Sequence, residues 1–336
     1  MMNSFGTTRF AGLLQAGSTA RGLLRSVCAA ALALGMAASL PAYAQEAATP
    51  DVAVPEIESF AAATEPPAFD TPEAALEAFK QALKAEGSDA VAALLGLDPA
   101  KLKADENTDD AFAVIKEGAA KQLLLDGEGD RRTVEIGEKL WPLPFPIVKS
   151  EDGWAFDTFD GLEEIINRRV GENELATIET MRAYVDAQED YASLDRDEDG
   201  VEEFAQKLVS TPGTTDGIYW PADDVNGESP AGDFVIEAER DDAAKGEGYF
   251  GYKYKILTGQ GDHIAGGAYD YVINGNMIAG FGLIAWPAKY GETGVKTFAV
   301  NQHGVVYETD LGPTTTAIVK YIDRFNPDDT WEVVAD

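Results

Sequence analysis

The stretch GENELATIETMRAYVDAQEDYASLDRDEDG, residues 171–200, decides the architecture of the C-terminal half of the chain. Apolar side chains recur in it every three or four positions, which is the period of an amphipathic α-helix. We therefore predict a long helix that buries one face against a sheet and ends just before the acidic residues. The apolar stripe consists of Leu175, Ile178, Met181, Val185 and Tyr191.

The sequence after this helix changes to the period of a β-strand. In YFGYKYKIL, residues 249–257, aromatic and aliphatic side chains alternate with glycine and lysine, which predicts a strand with one buried face. Asn274 and Gly275 form a dipeptide typical of a two-residue hairpin turn. We predict further strands at residues 269–273, 277–285, 295–300 and 305–308, followed by a short helix at residues 315–325.

Helices precede strands in the N-terminal half as well. Thr71 is a favourable N-cap with Pro72 at the first helical position, and a second helix runs from the Ser88 cap to a stop at Gly96. We also predict a helix at residues 112–123, strands at 132–137, 141–148 and 154–156, and a helix at 162–169 that Gly171 ends.

This order of elements predicts an α+β protein of two domains. We expect residues 70–170 to form a cone-like domain of helices and a curved antiparallel sheet. We expect residues 171–336 to form a second domain, in which the long helix packs on an antiparallel sheet. Residues 45–69 are rich in alanine, proline, threonine and glutamate without periodicity, which predicts a disordered linker.

The N-terminus has the regions of a signal peptide. Arginines come first with no acidic residue, an apolar stretch follows at residues 27–40, and Ala42 and Ala44 give an A-x-A cleavage pattern. We therefore expect residues 1–44 to be cleaved off after Ala44, which leaves a periplasmic or secreted protein. The alternative is an uncleaved anchor, but the apolar stretch is shorter than the roughly 20 residues that span a bilayer.

Composition restricts the partners. Of 336 residues, 59 are acidic and 26 are lysine or arginine, which gives a net charge of −33. Such a surface repels nucleic acid and anionic lipid, so we expect neither, and no later segment is apolar enough to span a membrane. The only cysteine, Cys28, lies in the predicted signal peptide, so we expect no disulfide in the mature chain. An envelope protein or a glycan is the expected partner.

Several motifs resemble a bacterial family of exported proteins catalogued as domain of unknown function 2950. The resemblance spans nearly the whole mature chain, and it implies export but no activity or catalytic residue. The motifs are FDTPEAALEAF at residues 69–79, DGIYWPADD at 216–224, GGAYDYVINGNMIAGF at 266–281, AWPAKYG at 285–291 and NQHGVVYETDLGP at 301–313.

The C-terminal half also resembles the globular heads of type IV pilins and pseudopilins. It shares with them the long helix, the acidic segment DRDEDGVEEFA at residues 195–205 and a late strand HGVVY at 303–307. It departs from them because pilins have a transmembrane half-helix and a prepilin leader where this chain has its N-terminal domain and signal peptide. The resemblance therefore implies a pilin-like head used as a soluble module. The N-terminal half, which ends on GWAFD at 153–157, resembles the cone-shaped fold of the NTF-two-like and cystatin-like families.

The acidic segment is the strongest candidate for a chemical site. Carboxylates alternate at three positions, and Gly200 permits the turn that lets them converge on a hard cation. An EF-hand loop has a bidentate glutamate at its twelfth position, where this chain has Gln206. The alternative is a solvated acidic turn. The predicted ligands of a structural Ca²⁺ are Asp195, Asp197, Asp199, Val201 and Glu203.

Other constellations point less clearly to chemistry. His263 and His303 each lie in a turn without a second histidine or a cysteine at ligand spacing, so we expect turn residues rather than metal ligands. The sequence contains no nucleophile elbow and no phosphate-binding loop.

A group of aromatic residues has two interpretations. They are either core residues on strands, or a glycan-binding surface beside carboxylates such as Asp216 and Asp270. A pair of these acids would hydrolyse a glycosidic bond if the two were about 5 to 9.5 Å apart. The aromatic residues are Tyr219, Trp220, Tyr269, Tyr271, Trp286 and Tyr290, with Asp223 and Glu292 as further acids.

The sequence therefore predicts a non-catalytic module, stabilised by calcium, that binds an envelope component or another protein. A glycan hydrolase with paired carboxylates is the alternative, and it requires Asp216, Asp270 and their neighbours to converge in one pocket. A structural partner of a pilus or secretion apparatus is a third hypothesis, which depends on the pilin resemblance alone.

Overall fold

One long helix, Thr158–Tyr191, serves both halves of the chain. Its first turns pack on an N-terminal core through Leu162, and its later turns pack on a C-terminal core through Met181 and Tyr184. Asp157 caps its start, because the carboxylate accepts a hydrogen bond from the Asp160 N–H over 3.0 Å. The computed structural model describes residues 56–104, 108–223, 225–232 and 248–335.

The helices of these ranges are segregated along the chain from strands that pair antiparallel, and this confirms the predicted α+β class. Thr71 caps the first of them by accepting a hydrogen bond from the Ala74 N–H over 3.1 Å. The α-helices are α1 (Pro72–Ala82), α2 (Asp89–Leu94), α3 (Pro99–Ala104), α4 (Thr108–Lys121), α5 (Thr158–Tyr191) and α6 (Thr315–Ile318), with 3-10 turns at Glu56–Phe60 and Val319–Tyr321. No helix in the described ranges is long and apolar enough to cross a membrane.

The N-terminal sheet is antiparallel throughout. Its strands follow the order β1-β2-β4-β5, and β3 pairs with β2 beside them. The sheet buries Val134, Ile147 and Phe156 against Phe79 of α1. The strands are β1 (Leu123–Asp126), β2 (Arg131–Ile136), β3 (Trp141–Pro142), β4 (Ile147–Ser150) and β5 (Gly153–Phe156).

The described residues of the C-terminal half form one main antiparallel sheet and two small hairpin-like pairs. The main sheet has the order β14-β13-β12-β11-β6, and the pairs are β7 with β8 and β9 with β10. The strands are β6 (Tyr252–Leu257), β7 (Gly259–Gln260), β8 (Tyr269–Asp270), β9 (Val272–Ile273), β10 (Asn276–Met277), β11 (Gly282–Pro287), β12 (Thr297–Asn301), β13 (Tyr307–Thr309) and β14 (Glu332–Val333).

Both faces of the main sheet are buried. Tyr252 and Phe298 point to the face that packs with Met181 of α5. Ile284 belongs to a smaller cluster on the opposite face, where Phe325 of the C-terminal segment packs. The side chains of β6 alternate as predicted, with Tyr252 and Tyr254 on the face toward α5. The prediction of a single buried face is wrong, because Leu257 is buried on the opposite face, and the strand begins only after Phe250, which has a φ of 47°.

The predicted end of a helix at Gly171 is wrong. α5 continues through this glycine without a break, and Gly171 does not have the positive φ of a helix-ending glycine. The helix continues because apolar side chains recur on both sides of it, and because Asn173 donates a hydrogen bond to the Thr293 carbonyl over 2.9 Å. The predicted domain boundary at residues 170 and 171 therefore lies inside one helix. The chain after Val54 forms one compact unit, so the division into two domains is not confirmed.

Residues 56–69 are ordered, which corrects part of the predicted linker. Ile57 and Phe60 pack on the N-terminal core. Phe69 and Trp154 exchange two backbone hydrogen bonds of 2.8 and 2.7 Å. These isolated apolar residues carry no periodic signal, and only their partners elsewhere in the chain order them. The rest of the linker and the signal peptide with its cleavage site at Ala44 lie outside the described residues.

Smaller differences have local causes. Leu123 begins β1 rather than continuing a helix, since the strand pairs it with Ile136. The predicted strand at residues 277–285 is regular only from Gly282, because Gly280 has a φ of 140°. The helix α3 and the strand β14 have no clear sequence signal and were not predicted.

Candidate functional site

Three aspartates of the acidic segment lie together. Asp195, Asp197 and Asp199 each place one carboxylate oxygen within 4.8 Å of the others, and all three residues are exposed. Glu198 and Gly200 have positive φ angles of 61° and 89°, which turn the chain so that alternate side chains converge. The structure thus brings together three of the predicted ligands, and their oxygen atoms suit a hard cation such as Ca²⁺.

Backbone N–H groups hold this turn. The Gly200 N–H donates to Asp195 over 2.8 Å, and the Val201 N–H donates to Asp199 over 2.8 Å. A longer bond of 3.4 Å joins the Asp199 N–H to Asp197. Each carboxylate has about four lone-pair sites, so these bonds orient it and leave sites for a cation.

The structure does not bring Glu203 to the three aspartates. Its Oε2 accepts a hydrogen bond from the Met277 N–H over 2.9 Å and one from Gln206 over 3.4 Å. Glu203 therefore supports the hairpin of β9 and β10. Val201 contributes its N–H to the turn, and the role of its carbonyl as a ligand stays a prediction.

The surroundings of the segment differ from those of an EF-hand. α5 precedes the segment, as a helix precedes an EF-hand loop. No helix follows between residues 192 and 223, all of which the structure describes. Instead, the Phe204 N–H donates to the Met277 carbonyl over 2.9 Å. A strand of the hairpin thus takes the place of the second helix.

The predicted hairpin turn is confirmed and supports the segment from one side. Asn274 and Gly275 have φ angles of 55° and 101°, both positive as a type I′ turn requires. Asn276 Nδ2 donates to Asp199 Oδ2 over 2.7 Å, and Gln206 Nε2 donates to the Gly275 carbonyl over 2.6 Å. The sequence did not assign Asn276 to the site, because nothing in the sequence marks this residue except its position directly after the turn.

Arg196 fastens the segment to α5 from the other side. Its guanidinium donates to the carbonyls of Tyr191 and Asp190 over 3.1 and 3.4 Å, where the helix ends and its carbonyls lack helical partners. It also lies over the rings of Tyr191 and Trp220, 5.2 and 5.1 Å from their centres, as in a cation–π contact. Sequence reasoning missed this role, for which the signal was a basic residue just after a helix end.

Tyr191 stays neutral beneath this contact. Burial first and the charge of Glu203 second raise the pKa of its phenol to about 12, although the charge of Arg196 acts to lower it. The neutral hydroxyl donates to the Thr215 carbonyl over 2.8 Å. The Arg196 guanidinium therefore lies over an uncharged phenol whose hydroxyl is hydrogen-bonded.

Asp216 and Asp270 are held by different partners. Asp216 accepts hydrogen bonds from Lys207 over 2.6 Å and from the Thr211 N–H over 2.7 Å. Asp270 forms an ion pair with Arg324. The structure has cavities of about 430 and 180 Å³, and neither acid lines either of them.

Asp216 is also unsuited to donate a proton. Partial burial acts to raise the pKa of its carboxyl, but hydrogen bonds from Lys207, Thr211 and Thr214 outweigh burial and lower the pKa well below its ordinary value. The group is therefore ionised at neutral pH. The acid of a glycosidase requires the opposite shift, to a higher pKa.

Several of the aromatic residues near these acids belong to the core. Trp220 is 3 % exposed, Tyr219 8 % and Tyr271 0 %. Tyr290 donates its hydroxyl to Asp310 over 3.0 Å, and Trp286 packs on the cluster of Ile284. Tyr269, at 37 %, is more exposed. The core interpretation therefore applies to the three most buried rings.

The histidines make backbone contacts in their turns. The N–H of His303 donates to Asn301 over 3.1 Å, and the N–H of His263 donates to Asn326 over 3.0 Å. Neither joins a convergent group of three or more potential metal ligands in the described part of the chain, where only the three aspartates form such a group.

Comparison with known proteins adds the family. No curated protein and no solved structure matches the chain. The resemblances to pilin heads and to cone-shaped folds therefore stay expectations. A family model described as "Protein of unknown function (DUF2950)" matches residues 67–334. Because this match covers most of the chain, the protein belongs to that family.

Proposed function

We propose that the protein is an exported, non-catalytic binding or assembly module whose C-terminal half is stabilised by a structural Ca²⁺. The convergence of Asp195, Asp197 and Asp199 within 4.8 Å carries this proposal. Carboxylates at that separation repel one another at neutral pH, and a divalent cation would relieve the repulsion.

The attachments of the acidic segment favour a structural role for the ion. Arg196 joins the segment to the end of α5, and Asn276 joins it to the hairpin. An ion held between these attachments would tie the helix and the hairpin to one another. We therefore expect the ion to change the stability of the protein more than its shape.

Export supports a site of modest affinity. The signal-peptide pattern at residues 1–44 directs the chain to a compartment outside the cytoplasm. Calcium sites of extracellular modules have dissociation constants of about 10⁻⁴ to 10⁻³ M. A site with three convergent carboxylates and no glutamate at the twelfth position is expected in that range.

The partners of individual acids support binding rather than catalysis. Asp216 and Asp270, the acids of the hydrolase hypothesis, each have a structural partner, Lys207 and Arg324. Their carboxylates are therefore occupied in holding loops. A binding or assembly role needs no free acid–base pair.

Calcium titration of the mature protein, residues 45–336, tests the proposal. Calorimetry and thermal melting are run on the wild type and on the double variant Asp197→Ala, Asp199→Ala. We expect the melting temperature of the wild type to rise with Ca²⁺ and that of the double variant to stay constant.

The control removes the same charge elsewhere. Asp109→Ala, Asp110→Ala takes two exposed carboxylates from the first turn of α4, so its melting temperature should still rise with Ca²⁺. If calcium produces no heat of binding and no change in melting temperature of the wild type, the segment is an acidic turn without a bound ion, and calcium is removed from the proposal. An equal shift in all three proteins would show unspecific binding and remove it as well.

A further inference from the structure

A cavity of about 430 Å³ lies between the main sheet and the C-terminal segment. Its floor consists of Leu257, Ile284 and Ala299, which belong to the cluster on the face of the sheet opposite α5. Residues 321–327 and Trp331 form its walls. This volume lies within the range of about 300 to 1,000 Å³ that small-molecule sites occupy.

Hydrogen bonds to the neighbouring strands hold the wall of the cavity. The Phe325 N–H donates to the carbonyl of Gly259 in β7 over 2.8 Å, and the N–H of Gly261, just after β7, donates to the Phe325 carbonyl over 3.0 Å. Arg324 donates to the carbonyls of Gln260 and Tyr269 over 3.1 and 3.0 Å. A fixed wall lowers the entropy that a ligand must overcome to bind.

Aromatic rings stand among the lining residues. Tyr321 is 87 % exposed, and Trp331 is half-buried against the same cluster as the floor. An exposed tyrosine of this degree has little packing to stabilise it in the folded protein. Rings of this kind have an apolar face and a polar tip, which suits a ligand that is apolar on one side and polar at its edge.

The polar groups of the lining carry no unpaired charge. Asp323 is paired with Lys255 over 2.6 Å, and Arg324 is paired with Asp270. Asn326 accepts a hydrogen bond from His263 through its oxygen, and its amide nitrogen has no partner among the described residues. The lining therefore presents hydrogen-bond donors and acceptors to a neutral ligand rather than a charge to an ion.

We propose that this cavity binds a neutral saccharide. A sugar ring has C–H bonds on its faces, which match the apolar floor and the rings of Tyr321 and Trp331. It has hydroxyl groups at its edge, which match the amide of Asn326 and the carboxylate of Asp323. The net charge of −33 repels anionic ligands, and the cavity has no free cation to bind them. The inference deepens the proposed function, since it gives the binding module a ligand class.

Calorimetric titration with neutral oligosaccharides tests the inference. The probes are maltotetraose and an N-acetylglucosamine tetramer, added to the mature protein. We expect at least one to bind, and we expect Trp331→Ala and Asn326→Ala to weaken that binding by about tenfold or more. The matched control is Phe159→Ala, which removes an aromatic residue that is 64 % exposed on α5 and outside the cavity. Its affinity should equal that of the wild type.

Several outcomes would overturn the inference. They are no binding of either tetramer by the wild type, binding that both cavity variants retain, and stronger binding of an anionic saccharide such as a tetragalacturonate. Thermal melting with and without Ca²⁺ in the same samples shows whether each variant is folded. A retained calcium shift without saccharide binding would reject the saccharide site and leave the calcium-stabilised module standing.

Discussion

Asn276 and Asp199 are 77 residues apart in the chain, and the Asn276 amide donates to the Asp199 carboxylate over 2.7 Å. The bond joins the hairpin of β9 and β10 to the acidic segment after α5. An amide carries no charge, so it orients the carboxylate without neutralising it. Asp199 is thus positioned by a residue outside its own segment.

Replacing this amide by a carboxylate tests the site directly. Asn276→Asp places a fourth carboxylate beside Asp199, so repulsion should lower the free energy of unfolding by about 1 kcal/mol in the presence of EDTA. Calcium should reverse the loss, because the new oxygen atoms can join its coordination shell. Thermal melting with EDTA and with Ca²⁺ measures both effects.

An equivalent pair elsewhere provides the control. Asn226 donates its side-chain amide to Asp223 over 2.9 Å in an exposed turn. Asn226→Asp should also destabilise the protein, but calcium should not restore it. If calcium rescued both variants equally, the response would come from general charge screening rather than from the acidic segment.

The continuity of α5 predicts opposite effects for two of its glycines. Gly171 lies in the helix interior, and a Cβ built there meets nothing within 4 Å. Gly171→Ala should therefore stabilise the protein by about 0.5 to 1 kcal/mol, because glycine loses more backbone entropy than alanine when it becomes helical. Urea unfolding of wild type and variant measures the difference.

Gly161, in the first turns of the same helix, gives the contrasting case. A Cβ built there would collide with the ring of Phe145. Gly161→Ala should destabilise the protein by about 1 to 3 kcal/mol, since the core has no room for the methyl group. A loss of stability in Gly171→Ala would contradict a continuous helix at residue 171.

Glu174 fixes the middle of α5 to the C-terminal half. Its Oε1 accepts hydrogen bonds from the N–H groups of Val295 and Lys296, each over 2.9 Å. Glu174→Ala should lower the free energy of unfolding by about 1 to 3 kcal/mol because both donors lose their acceptor. Glu174→Gln keeps an oxygen acceptor and should lose less. Denaturant unfolding of both variants measures which of them loses more free energy of unfolding. Glu179→Ala, which changes an exposed residue of the same helix, is the control.

The lowered pKa of Asp216 predicts how stability depends on pH. A carboxyl whose pKa is lower in the folded state contributes stability above its ordinary pKa, about 3.9, and that contribution is lost as pH falls through the folded value. Asp216→Asn should therefore lower the melting temperature at about pH 7. The difference in melting temperature between wild type and variant should become smaller below about pH 4, because the stability that the ionised Asp216 contributes is lost as the pH falls toward its folded-state pKa. A gap that does not change with pH would mean that the charge of Asp216 contributes nothing.

The periodic spacing of apolar residues predicted a helix and a strand that both pack on the C-terminal core. The spacing of Ile178, Met181 and Val185 predicted the buried stripe of α5, and the alternation after Tyr252 predicted β6. Leu175 was assigned to the same stripe wrongly, because it is 50 % exposed. Such patterns are local, because a helix and a strand each repeat within a few residues. The stop at Gly171 was wrong for the same reason. A glycine that ends a helix usually has a positive φ, and Gly171 does not. Asn173 and Glu174, just after it, are held in the helix by contacts with residues far along the chain.

Only part of the candidate site was visible in the sequence. The alternation of Asp195, Asp197 and Asp199 around a turn predicted their convergence, since all three lie within one short segment. Arg196 and Asn276 were not assigned, because their roles depend on the end of a helix and on a hairpin that lies far along the chain. The spacing also predicted Glu203 as a ligand beside the aspartates, but Glu203 accepts a hydrogen bond from Met277 of the hairpin instead.

The sequence by itself determined the α+β class, the acidic character and the convergence of three carboxylates, because these follow from composition and from contacts between close neighbours. The tertiary structure alone decided that α5 packs on both cores as one helix and that residues 56–69 are ordered. It also decided that residues 321–327 and Trp331 line a cavity over the outer face of the main sheet. These features depend on pairs of residues far apart in the chain, and the contact that fixes each pair exists only once the chain has folded.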